Sequence, residues 1–326
     1  MLSCDWGTST FRLRLVDVKD LHIVGEINSR EGVVDMYTQW EQSNELHEVS
    51  REHFYAHKLQ RNIEELSGKV TTDLTDTPIV ISGMASSSIG IKEVPYASLP
   101  FSLDGTNARV QRLDASNGLS SDAWLISGVQ SQYDVMRGEE TQIIGLSAID
   151  STFLTKKNVT CILPGTHSKH IRITDGELVD FQTFMTGELF RLMTRHSILR
   201  DSIAENTKPC MTELDRDAFC HGVEESGRAH LLQTLFSVRT NQLFDHLTKQ
   251  ENFYFLSGLM IGAELRTLGG KGKTRLMLCS GSSIFQFYEL ALHTLGMMDL
   301  ATLVSPDQMD KVAVAGQVKV FENIAG

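Results

Sequence analysis

The apolar and polar positions of this chain fall into two periods, and the changes between them mark its elements. Alternation over residues 11–18 predicts a half-buried strand, with a short strand before it at residues 1–4 and a third at 21–28. Glu31-Gly32-Val33 reads as a turn. Leu46, Val49, His53, Ala56, Leu59, Ile63 and Leu66 then recur at steps of three and four, predicting an amphipathic helix over residues 43–67. A continuous apolar run at 78–82 predicts a buried strand, and strands follow at 108–113 and 122–129. Arg137-Gly138-Glu139-Glu140-Thr141-Gln142 opens a helix that runs through Ile149. The second half repeats the scheme: strands at 159–163, 170–174 and 177–184, then a helix opening at Thr186-Gly187-Glu188. Mostly helical sequence fills 213–251, and a helix covers 255–265. A strand at 274–279, a helix at 283–295, a strand at 300–304 and a helix at 307–324 close the chain. This is a β-β-β-α-β-α-β plan used twice, with extra helices in the second copy. The class is α/β, with two lobes expected at residues 1–140 and 141–326 and no low-complexity linker between them.

The strand ends carry the chemistry. Asp5-Trp6-Gly7-Thr8-Ser9-Thr10 joins the first two strands with an acid, a glycine and three consecutive hydroxyls. Glycine lets backbone amides approach a ligand closely, and hydroxyls with turn amides suit phosphate oxygens. The carboxylate of Asp5 suits a hydrated Mg²⁺, which takes one or two carboxylates plus phosphate oxygens. An ordinary β-turn with satisfied hydroxyls would read the same way. However, the device recurs at Pro164-Gly165-Thr166-His167-Ser168-Lys169, and a third small turn, Ser280-Gly281-Ser282-Ser283, follows the strand at 274–279. Three such strand ends predict two similar lobes facing one nucleotide. Gly83-Met84-Ala85-Ser86-Ser87-Ser88-Ile89-Gly90 is either a solvated connection or a rim facing a polyhydroxyl ligand. Glu139 and Glu140 either complement the helix dipole or supply a general base, with Arg137 close by for an anionic group. Gly258, Gly262 and Ala263 share a helix face that suits close helix approach or a flat ligand, the former being the simpler reading. Gly269-Gly270-Lys271-Gly272-Lys273 lacks the hydroxyl-capped helix of a Walker loop.

Composition narrows the classes further. Net charge is −11, and no Lys/Arg cluster suits nucleic acid. No run approaches a membrane-spanning length, and the start lacks the basic and apolar regions of a signal peptide. The cysteines Cys4, Cys161, Cys210, Cys220 and Cys279 show no C-x-x-C spacing, and Cys220-His221 has no partners at ligand spacing. A reduced, cytoplasmic protein is expected.

The duplicated lobes and their turns resemble the sugar kinase, actin and heat-shock ATPase superfamily. Within it, the chain is similar to the 2-dehydro-3-deoxygalactonokinase family. The resemblance rests on Asp5 through Ser9 with Arg12, on Gly83 through Gly90 with Glu93, Pro95 and Tyr96, and on Met136-Arg137-Gly138-Glu139-Glu140-Thr141-Gln142. Pro164 through Lys169, Met185-Thr186-Gly187-Glu188-Leu189 and Ser257 through Glu264 extend it over nearly the whole chain. Three positions depart from the family pattern: Thr10 stands where Asn is frequent, Ser86 where Gly is, and Ile91 where Trp is. The resemblance implies two ribonuclease-H-like lobes with a nucleotide cleft between them. It implies transfer of a phosphoryl group from ATP to the terminal hydroxyl of 2-dehydro-3-deoxy-D-galactonate, a sugar acid. It places Asp5 on Mg²⁺ through water, and Gly7, Thr8 and Ser9 on the transferring phosphoryl group. Gly165, Thr166, His167, Lys169, Gly281 and Ser282 fall on the nucleotide. Met84, Ser86, Ser87 and Thr186 fall on the sugar acid, whose carboxylate needs a cation from among Arg12, Lys92, Arg137 and Lys169. Either Glu139 or Glu140 is the base, as a glutamate is in related phosphatases. A phosphohydrolase with a glutamate-activated water and a non-enzymatic, actin-like ATP-binding module are the alternatives. The oligomeric state stays open, a homodimer being one option.

Overall fold

The computed structural model describes residues 1–43, 49–115, 118–150, 152, 158–204, 211–228, 230–269 and 274–325. Two compact units divide the chain. The first holds Met1–Lys157, Ile173–Asp180 and Asp310–Gly326; the second holds Asn158–Arg172 and Phe181–Met309. The units therefore do not follow a division at 140/141, because the helix after Gly138 and most of the last helix count with the first unit.

The first unit is built on strands β1 (Leu2–Trp6), β2 (Phe11–Asp17), β3 (His22–Ser29), β4 (Ile79–Gly83), β7 (Val110–Leu113) and β8 (Ala123–Ile126). Their spatial order is β3-β2-β1-β4-β8-β7. β1 and β4 run parallel at the centre, and every residue of β4 is buried, as a run apolar on both faces requires. β3 alternates exposed and half-buried positions along most of its length. Helices α1 (Val33–Ser43) and α2 (Arg51–Val70) follow. The predicted helix over 43–67 thus begins late. Ser50 caps α2 by accepting from the His53 N–H, and Val49 precedes that cap. Leu46 lies outside the described residues. Tyr55, Ala56, Leu59, Ile63 and Leu66 form the buried stripe. The turn expected at Glu31–Val33 is instead the entrance of α1.

Between β4 and β8 the repeated plan predicts a helix. Among the described residues no α-helix lies there. The path contains β5 (Ala97–Ser98), β6 (Phe101–Ser102) and β7, and β5 joins β9 (Val129–Gln130) and β10 (Val135–Met136) in a small sheet. Helix α3 (Glu139–Ile149) then crosses α10 (Pro306–Ala325) at backbone contact. A Cβ on Gly145 would fall 1.8 Å from the Val312 carbonyl oxygen, and one on Gly316 would fall 1.9 Å from that of Thr141.

In the second unit β11 (Val159–Leu163), β12 (Ser168–Thr174), β13 (Glu177–Phe184), β14 (Arg275–Cys279) and β15 (Ala301–Val304) lie in the order β15-β14-β11-β12-β13. This is the order β8-β4-β1-β2-β3 over again. The tip of the β12/β13 hairpin counts with the first unit, where Leu178 pairs with Phe101. Helices α4 (Thr186–His196), α5 (Glu213–Glu225), α6 (Leu231–Leu235), α7 (Ser237–Leu243), α8 (Lys249–Leu265) and α9 (Ser282–Thr294) complete the unit. α5 and α8 both start with capping boxes, Thr212 with Asp215 and Thr248 with Glu251. They interlock as α3 and α10 do: a Cβ on Gly222 would lie 2.1 Å from the Phe255 oxygen, and one on Gly258 2.0 Å from the Phe219 oxygen. Helix contact thus accounts for Gly258.

Cys4, Cys161 and Cys279 are buried free thiols in central strands, Cys220 is half-buried, and Cys210 lies outside the described residues, as do Gly270, Lys271, Gly272 and Lys273. Among the described residues no helix is long and apolar enough to cross a membrane, and no cluster of three His, Cys, Asp or Glu side chains could hold a metal ion.

Candidate active site

The first turn is held from below. The Gly7 N–H donates to the Thr10 carbonyl at 2.9 Å and closes the link between β1 and β2. The opening amides of α1 then donate to the turn: Val33 to the Gly7 carbonyl at 2.9 Å and Val34 to the Thr8 carbonyl at 3.2 Å. Helix amides without an intrahelical partner are thereby satisfied by the turn. The approach is so close that a Cβ on Gly32 would sit 2.3 Å from Ser9 Cα. Thr8, Ser9 and Thr10 remain exposed. Trp6, 1% exposed, anchors the strand end by donating from its indole to the Glu31 carbonyl at 3.1 Å.

Asp5 sits on β1 opposite Arg12 of β2 and opposite Ser82 of β4. Burial pushes its carboxyl up, and the charges of Arg12 and Arg14 pull it back. Arg14 is already committed, donating to Glu26 at 3.0 Å and to the Asp310 carbonyl at 2.7 Å. Under the strand, the Gln317 amide of α10 donates to the Cys4 carbonyl and to Ser82 Oγ, both at 2.8 Å.

The loop after β4 is organised by Arg137. Its guanidinium donates to Ser86 Oγ at 2.7 Å and to the Val94 carbonyl at 3.0 Å, and it lies 3.9 Å over the Tyr96 ring. Ser127 Oγ donates to the Pro95 carbonyl at 2.7 Å from the other side. Directly after Arg137, Gly138 takes a φ of 104°, and a Cβ there would lie 3.3 Å from Gly83 Cα. That turn delivers the two glutamates. Glu140 is 1% exposed; its carboxylate accepts from the Gly138 N–H at 2.7 Å and from the Thr141 hydroxyl at 2.9 Å. Desolvation, then the neighbouring Glu139 charge, raise it to about 7. Glu139 is only half-buried.

The second turn repeats the construction of the first. The Glu188 N–H of α4 donates to the Thr166 carbonyl at 3.0 Å, and a Cβ on Gly187 would lie 2.5 Å from the Gly165 carbonyl oxygen. Thr166 and His167 are exposed, and His167 Nε2 pairs with Glu188. Beneath the turn lies a polar network. Glu264 of α8, 3% exposed, meets His170 Nε2 at 3.0 Å, the Tyr288 hydroxyl at 2.7 Å and the Thr186 hydroxyl. Tyr288 Oη is also 3.0 Å from Ser168 Oγ. At the third turn Gly281 precedes α9 with no side-chain cap, and a Cβ on it would meet nothing within 4 Å.

The family model described as 2-keto-3-deoxy-galactonokinase matches residues 5–319, a span that includes both turns and the Arg137–Glu140 segment. The chain belongs to this family. It is 32% identical over 237 residues to the 2-dehydro-3-deoxygalactonokinase of Escherichia coli (strain K12), covering 70% of this chain and 75% of that one. It is also 32% identical over 297 residues to the "Probable 2-dehydro-3-deoxygalactonokinase DgoK1" of Rhizobium meliloti (strain 1021), covering 90% and 89% of the two chains. Among solved structures, a "putative 2-dehydro-3-deoxygalactonokinase protein" of Sinorhizobium meliloti superposes with a TM-score of 0.78 at 28% identity, over 99% of this chain and 96% of that one. The 2-hydroxyglutaryl-CoA dehydratase component A of Acidaminococcus fermentans superposes with a TM-score of 0.50 at 14% identity, over 100% and 99% of the chains, a likeness of fold alone. The fold is a duplicated α/β plan, as the two sheet orders show.

Against this galactonokinase family fold, the sequence-selected residues sort by unit. The first unit holds Asp5, Gly7, Thr8, Ser9 and Arg12 at one hairpin end, and Met84, Ser86, Ser87 and Arg137 around one loop. Ser87 Oγ is buried and has no hydrogen-bond partner among the described residues. Lys92, half-buried, pairs with Glu52 at 3.7 Å. In the second unit Lys169 is 5% exposed and donates to Thr183 Oγ1 at 2.6 Å, and Thr186 is turned toward Glu264. Glu264, His170, Tyr288 and Gln317 were not selected from the sequence. Two of them carried a signal there: Glu264 is the only charged residue of the run 255–265, and Gln317 interrupts an apolar stretch of α10.

Proposed function

We propose that this chain is an ATP-dependent kinase that phosphorylates the terminal hydroxyl of 2-dehydro-3-deoxy-D-galactonate to give the 6-phosphate. The observation that carries this reading is the family match over residues 5–319. The site residues support it individually. The exposed hydroxyls of Thr8 and Ser9, with the Gly7 backbone, suit the transferring phosphoryl group, and the open Gly165–His167 turn suits the remaining phosphates. Gly281 and Ser282, at an uncapped helix start, suit the nucleotide as well.

Mg²⁺ fits Asp5. The carboxylate is a hard oxygen donor whose ionised form is disfavoured by burial, so a cation beside it is stabilising. Asp5 would hold the ion through water, and the ion would neutralise phosphate charge. The loop that Arg137 clamps, with Met84, Ser86 and Ser87, is the acceptor side, and Arg12 or Lys92 supplies the cation for the acceptor carboxylate. Glu139, half-buried at a rigid helix start, takes the proton of the attacking hydroxyl, while the enclosed Glu140 fixes the turn that presents it. We place the enzyme in the cytoplasm, where its buried free thiols stay reduced.

The test is ADP formation from Mg-ATP with 2-dehydro-3-deoxy-D-galactonate, its gluconate epimer, plain hexoses and no acceptor. Strong dependence on the galactonate-derived acid is expected. Phosphate release irrespective of acceptor, or nucleotide binding without turnover, would overturn the reading.

A further inference from the structure

We infer that Glu264 is a positioning residue for the second phosphate turn: its buried carboxylate fixes the Gly165–Ser168 backbone in the geometry that receives phosphate. This rests on the kinase reading of that turn. Three observations carry it. Glu264 is 3% exposed and gathers donors from three different elements, β12, α4 and α9. Each donor adjoins the turn. His170 follows the turn by two residues. Thr186 precedes Gly187, whose Cα lies against the Gly165 carbonyl. Tyr288 passes the contact on to Ser168 Oγ, which receives the Gly165 N–H at 3.4 Å. Finally, α8 is itself immobilised against α5 by the Gly222 and Gly258 contacts, so the carboxylate is presented from a fixed support. A carboxylate that merely tied α8 to the sheet would have no need of partners that all flank one exposed turn. Glu264 cannot touch the nucleotide at that depth; it acts through the backbone it holds.

The experiment compares wild type with Glu264→Gln and Tyr288→Phe in the full chain. Glu264→Gln keeps the shape but offers one acceptor oxygen to donors that now share two. Tyr288→Phe removes only the hydroxyl between Glu264 and Ser168. Binding of Mg-ADP and of a non-hydrolysable ATP analogue is measured by calorimetry, beside KM for ATP, KM for the sugar acid, and Tm. Both variants should bind nucleotide about tenfold more weakly, the size of effect that supporting residues of a site commonly show, with the KM for the sugar acid unchanged. Unchanged nucleotide affinity in either folded variant would overturn the inference, as would equal losses for nucleotide and sugar acid. If Glu264→Gln does not fold, Tyr288→Phe decides alone. Because binding is read without turnover, failure of the kinase reading would appear separately, as wild type that binds nucleotide yet leaves the sugar acid unphosphorylated.

Discussion

At the scale of single residues, burial raises two carboxyls of the first unit above their ordinary values. Glu140 is raised from an ordinary 4.5 to about 7, so the folded chain keeps a proton that the unfolded chain releases. Its contribution to stability is full below pH 4.5 and disappears as pH rises through about 7, a span worth about 3 kcal/mol. Urea unfolding should therefore show lower stability at pH 8 than at pH 5. Glu140→Gln, which can still accept from the Gly138 N–H, should flatten that slope, and an unchanged slope would show that another group carries it. Asp5 is raised for the same first reason, burial. Its replacement by Asn keeps the volume and removes the charge. Asp5→Asn should leave Tm within a few degrees while kcat falls about 10²–10³-fold, measured by coupled ADP release. Arg137 has a different task. Its three contacts with the loop after β4 need a planar fork and a flat cation, which lysine lacks. Arg137→Lys should raise KM for the sugar acid about tenfold with little change in KM for ATP.

At the scale of elements, the same two devices appear once in each unit. A hydroxyl turn is seated on the first amides of a following helix, with Gly32 in one unit and Gly187 in the other allowing the seat. A helix pair is locked by reciprocal glycines, Gly145 with Gly316 and Gly222 with Gly258. Gly316→Ala would drive a methyl group to within 1.9 Å of the Thr141 oxygen, which α3 cannot avoid without moving Glu139 and Glu140. It should cost about 1–3 kcal/mol in unfolding measurements and lower kcat, whereas Gly68→Ala, with open space around the added carbon, should do neither. Much of this level was legible in the chain. The strand–turn–strand units announced themselves through alternation broken by glycine and hydroxyls, and the stripe from Tyr55 to Leu66 located α2. The helix α1 was not legible, because its buried face is only Val33 and Met36 and its entrance carries turn residues. Nor was the roll of Arg137, Lys169 and Thr186 as holders of structure, since direction of a side chain is set by neighbours distant in sequence.

At the scale of the molecule, the sheet orders β3-β2-β1-β4-β8 and β13-β12-β11-β14-β15 show one plan used twice, as the spacing of elements predicts. One place where the copies differ, the path between β4 and β8, is also where the plan's helix is replaced by the loop that Arg137 clamps. Periodicity could not reveal that the first unit is completed by residues from the far end of the chain. Gln317 reaches the Cys4 carbonyl across 313 positions of sequence, and Arg14 reaches the Asp310 carbonyl across 296. A chain cut after Met309 should therefore lose the order of the first unit, seen as rapid proteolysis within residues 1–150.

That long-range closure has a bearing on how the protein is made. A ribosome releases β1 first and α10 after everything else in its unit, so the sheet around Asp5 waits through the synthesis of the whole second unit before Gln317 and Gly316 can dock. The second unit is complete at Met309, before the α10 residues that close the first. Nascent chains should thus order the Gly165–Ser168 turn before the Gly7–Thr10 turn, and the strand end that carries Asp5 should be the last of the two to settle.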